Sequence, residues 1–126
     1  MAGSRRVRVA DNVRRNLDAI REFLTESGAP EAFETLLDEL FAKVIPSLQE
    51  FPELGFDFLA RRPGSRETAA GAERWRRRLG PGENLREHVF GQYLLLYLTR
   101  RDEVVLLTLR HHRQLSFDLR GHWGAG

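Results

Sequence analysis

The chain contains no cysteine. That excludes a disulfide framework and thiolate metal sites, and it suits a reducing cytoplasm. Lysine occurs once, at Lys43, so arginine carries nearly all of the positive charge. The longest apolar run, Tyr93 to Leu98, is far too short to span a bilayer, so no membrane association is expected. The opening MAGSRRVRVAD passes from charge straight into alternation, without the apolar stretch of a secretory signal. No GxxxxGK[ST], GxGxxG or GxSxG occurs, so neither a phosphate-cradling loop nor a nucleophile elbow is expected. These absences leave a cytoplasmic protein without cofactors, and its 126 residues suit a single domain spanning 1–126.

Charge is unevenly placed. Residues 1–59 hold seven basic and eleven acidic side chains, whereas residues 60–113 hold twelve basic and six acidic ones. A basic half set against an acidic half points to a polyanion or an acidic partner peptide on one face, the alternative being a solvated arginine-rich surface.

The hydrophobic pattern predicts an α+β fold. Arg6–Val9 alternate as a short strand. Asp11 is placed to cap a helix on which Val13, Leu17, Ile20 and Leu24 form one stripe. Gly28 suits its end, and Pro30 the first position of a second helix. There Phe33, Leu36, Leu37, Leu40, Phe41, Val44, Ile45 and Leu48 repeat at three and four, and Pro46 should kink or shorten the helix. The short connection predicts an antiparallel two-helix hairpin, and its apolar stripes require a covering sheet. Residues 60–84 form an arginine-rich insertion with a short extra helix expected over Glu67–Leu79, docked by Trp75 and Leu79. LREHVF, YLLLYLT and VVLLTLR read as three antiparallel strands, the first two joined by a turn at Gly91-Gln92. Tyr93, Leu95 and Tyr97 share one face, and Leu94, Leu96 and Leu98 the other. Residues 119–126 read as a flexible tail.

Four histidines invite a metal, but neighbouring strand residues diverge, so His111 and His112 cannot easily share an ion, and no metal site is expected. Alternation instead places Arg86 with His88, Arg110 with His112, and His111 with Arg113. Arginine can fork onto phosphate and histidine can exchange a proton near neutral pH. Such a set can run metal-free RNA cleavage, with a base at the 2′-hydroxyl, arginines on the growing charge and an acid at the leaving oxygen. The same residues equally suit the polar end of a strand meeting solvent.

IPSLQEFPELG at the end of the second helix, LREHVFGQYLLLYL as a central hairpin and LRHHRQL at the last strand's end occur in that order. In this arrangement the sequence resembles the RelE/ParE toxins of type II toxin–antitoxin systems over most of its length. The resemblance implies a helical hairpin on one face of a mostly antiparallel sheet, with the first strand beside the last. It also implies a cognate antitoxin as partner, whose C-terminal segment would be acidic to suit the basic half. Two activities follow from it: RelE-like cleavage of messenger RNA in the ribosome, the leading expectation, or ParE-like poisoning of DNA gyrase without enzymatic chemistry. An inert or orphan antitoxin-binding member is the third reading. Under the first, Arg86, Arg110, His111 and His112 match catalytic positions, and His88, Tyr97, Arg113 and Arg77 are expected to contact substrate. No tyrosine follows the last strand, where RelE-like members often place one.

Overall fold

The computed structural model describes residues 5–57, 73–74 and 76–111. Five strands form one sheet in the order β1-β5-β4-β3-β2, comprising β1 (Arg6–Val9), β2 (Phe56–Asp57), β3 (Asn84–Phe90), β4 (Tyr93–Thr99) and β5 (Glu103–His111). Only β1 and β5 run parallel, with Arg6 opposite Glu103 and Val9 opposite Leu106; the remaining pairs are antiparallel. The fold is therefore α+β, and the first strand lies beside the last.

Helix α1 (Asp11–Glu26) follows β1. Ala10 occupies the cap position and Asp11 is already the first helical residue, so the expected carboxylate cap is not formed. Asp11 still lies in the first turn, where a negative charge meets the positive end of the helix dipole. Gly28 takes φ +79°, the left-handed conformation that glycine adopts without steric cost at a helix end. Pro30 caps α2 (Glu31–Glu39), one position earlier than expected. A π-helical turn (Leu40–Val44) then leads into α3 (Ile45–Glu50), with right-handed helical angles maintained at each junction. The single helix expected here is thus continuous in direction but widened directly before Pro46. In a regular α-turn the proline ring would press on the Ala42 carbonyl. The π turn raises the local repeat, so Leu36, Leu40, Val44 and Leu48 all reach the core at a constant spacing of four. Phe41, expected in that stripe, is instead 51% exposed.

Both helical segments pack on one face of the sheet. Val13, Ile20, Leu24, Leu36, Leu40, Val44 and Leu48 meet Tyr93, Leu95, Tyr97, Val104, Leu106 and Leu109 in one cluster. The direction of α1 follows from Asn16 bonding Leu109 and Phe23 touching His111. The second helical rod returns, since Glu39 lies beside Gly91 whereas Gln49 bonds Arg5 at the far end. On the opposite face Leu85, Leu98 and Val105 form a buried cross-strand row separate from this cluster. Of the expected extra helix, residues 73–74 and 76–78 are helical. The rest of that segment, with Trp75, and the 119–126 tail lie outside the described residues.

Along β5 the alternation breaks once. Leu96 faces Thr108 and Tyr97 faces Leu106, so Leu107 is an extra residue, a β-bulge. Helix α1 satisfies the polar groups this exposes. Asn12 Nδ2 donates to the Leu107 carbonyl at 3.2 Å and to Thr108 Oγ1 at 2.8 Å. Asn16 Oδ1 accepts from the Leu109 amide at 3.0 Å and from Thr108 Oγ1 at 3.2 Å. The bulge changes which residues face the helices, from Val104 and Leu106 before it to Leu109 and His111 after it.

Candidate functional site

Cross-strand register assigns Arg86, His88, Tyr97, Arg110 and His111 to faces of the sheet. Arg86 pairs with Tyr97, His88 with Leu95, Phe90 with Tyr93 and Tyr93 with His111, so these share the helix-bearing face. Arg110 pairs with Leu94 on the opposite face, where it is exposed. Arg77 is exposed outside the sheet. His112 and Arg113 lie outside the described residues, so their places relative to Arg110 and His111 are not described.

Two centres result on the helix-bearing face. In the first, Arg86 Nη1 donates to the Gly55 carbonyl at 2.8 Å and to the Glu53 carbonyl at 3.4 Å, while its Nε is buried and, among the described residues, without a partner. The Tyr97 hydroxyl accepts from the Gly55 amide and donates to the Pro52 carbonyl, both at 2.8 Å. Tyr97 is fully buried, so the expected contact with substrate is not available to it. Burial also pushes its phenol above the ordinary tyrosine range. A Cβ at Gly55 would come within 2.7 Å of the Glu87 carbonyl and 2.8 Å of the Tyr97 hydroxyl. The segment 52–55 after α3 is thus clasped against β3 and β4.

The second centre lies at the other end of β4. His111 is buried, with its ring 5.1 Å from Tyr93 in edge-on contact and 5.2 Å from Phe23. Phe90 lies 5.7 Å from Tyr93, and His88 stacks on Phe90 at 6.1 Å. Burial lowers the affinity of His88 for a proton and raises that of the Tyr93 phenol, the latter with help from the Glu39 carboxylate. Above Tyr93 and His111 opens a cleft of about 380 Å³, bounded by α1, α2 and the β3–β4 turn.

These centres do not merge. Arg86 and His111 are four residues apart along β4 and two strands apart across the sheet, about 16 Å at ordinary strand spacings. The structure brings His88, Tyr93 and His111 together with Phe90, and leaves Arg86 and Arg110 elsewhere. Alternation alone allowed either Arg110 or His111 to face the helices, because the bulge between them and the hairpin carries no sequence signal. Glu39 and Phe23, which complete the second centre, read as ordinary helix residues. Among the described residues no group of three potential metal ligands occurs, and no helix is long and apolar enough to cross a membrane.

A family model described as ParE toxin of type II toxin–antitoxin system, parDE, matches residues 7–116. Among solved structures, the toxin–antitoxin complex RelBE2 from Mycobacterium tuberculosis is similar at 20% identity. The match covers 86% of this chain and 92% of that one, with a TM-score of 0.42. No curated protein matches the chain.

Proposed function

Because this chain belongs to the ParE toxin family of type II toxin–antitoxin systems, we propose that it is a toxin acting by grip rather than by bond cleavage, with DNA gyrase as its target. The dispersal of Arg86, Arg110 and His111 supports this over ribosome-dependent mRNA cleavage. Arg86 has its Nη1 engaged by backbone carbonyls, Arg110 lies on the other face, and His111 is enclosed by aromatic rings. Metal-free phosphoryl transfer needs its base, acid and charge-stabilising groups within hydrogen-bond reach of one phosphate. A separation of about 16 Å between Arg86 and His111 does not meet that need. The inactivating partner is an antitoxin with an acidic C-terminal segment, drawn to the basic residues of 60–113.

The test places purified protein in a gyrase supercoiling reaction and, in parallel, on translating ribosomes. Stalled supercoiling with intact mRNA is the expected result; cleaved mRNA with normal supercoiling overturns the proposal. Within the same scheme His112→Ala leaves toxicity unchanged, whereas a proton-transfer role would cost about 10²–10⁴ in rate.

A further inference from the structure

The cleft over Tyr93 and His111 has a composition that toxin membership does not account for. Its lining joins an apolar wall that includes Ala32 and Leu36 to the Tyr93 and His111 rings and the Glu39 carboxylate. Glu39 is half-buried, and among the described residues its carboxylate has neither a hydrogen-bond nor an ion-pair partner. Its position is marked from two sides. Oε1 lies 3.4 Å from where a Cβ on Gly91 would sit, and the charge is felt at the Tyr93 hydroxyl. A lone carboxylate beside two aromatic rings and an apolar wall matches a cation carried on an apolar stem. The Tyr93 ring attracts the cation, the apolar wall takes the stem, and the carboxylate takes the charge. Guanidinium fits better than ammonium because it is planar, weakly hydrated and able to stack while hydrogen-bonding sideways.

We propose that this cleft is a socket for an arginine side chain presented by a partner protein. The cleft is partly open to solvent, so a side chain can enter while its backbone stays outside. The charge at this socket is opposite to that of the arginine-rich half, so it favours a basic residue from the partner over an acidic segment. The proposal rests on the cleft alone and stands whichever target the toxin has.

The probe is N-acetyl-arginine-methylamide, titrated into the full-length chain with NMR observation of the Gly91 amide and the Tyr93 and His111 rings. Saturable shifts at these positions in the millimolar range are expected, with the norleucine analogue binding about 5-fold or more weakly. Glu39→Gln should weaken the arginine probe by a similar factor, and Ala32→Leu should abolish binding by filling the wall. Equal binding of the norleucine analogue, no effect of Glu39→Gln, or no shift at all overturns the proposal. Tighter binding of free arginine or agmatine than of the capped probe also overturns it, since the cleft would then be a small-molecule site.

Discussion

Tyr97 contributes its hydroxyl to the protein's own backbone, bridging Pro52 and Gly55 from a fully buried position. Tyr97→Phe leaves a buried amide and a buried carbonyl unpaired, and should lower stability by about 1–3 kcal/mol in urea denaturation. Gly55→Ala should destabilise by a comparable amount, about 1–3 kcal/mol, because backbone and the Tyr97 hydroxyl occupy the space of its Cβ. His88 should contribute to acid sensitivity. Burial holds its folded pKa below the ordinary histidine value, so as pH falls through that ordinary value the unfolded chain takes the proton first and stability declines. His88→Gln should flatten the fall in urea midpoint between about pH 7.5 and about pH 5; an unchanged slope would assign the effect to another group. At this scale the sequence was partly legible. Alternation correctly grouped Tyr93, Leu95 and Tyr97, and Arg86 with His88, but it could not reveal that the Tyr97 hydroxyl and the Arg86 Nη1 were committed to residues 52–55.

At the scale of elements, periodicity located both helical segments, the Gly91-Gln92 turn and the three long strands. It missed what departs from a period. Leu107 adds a residue without changing the composition of β5, and the π turn keeps the spacing of four while expelling Phe41. Strand β2, at two residues, is too short for alternation to show. The bulge depends on α1, since Asn16 supplies the acceptor for the Leu109 amide. Asn16→Ala should therefore cost about 1–2 kcal/mol, with a loss of hydrogen-exchange protection confined at first to Thr108–Leu109. Uniform loss of protection across β4 and β5 would mean that the bulge is held by its own strand pairing instead.

For the molecule as a whole, the sheet joins the two ends of the described chain. Arg6 pairs with Glu103, and the parallel β1–β5 ladder joins the first strand to the last one synthesised. Contacts so distant in sequence slow folding. Val9→Ala, at that ladder, should speed unfolding in stopped-flow experiments while leaving the folding rate nearly unchanged; a slowed folding limb would put β1 in the nucleus. The order of synthesis turns the same ladder into a safeguard. At roughly 5–20 residues per second, the helices wait on the order of ten seconds for the strand that covers them. A ribosome that stops before β5 releases two bare apolar stripes and no closed sheet. Such a fragment should be open to proteolysis, so truncation before β5 is expected to remove harm along with the fold.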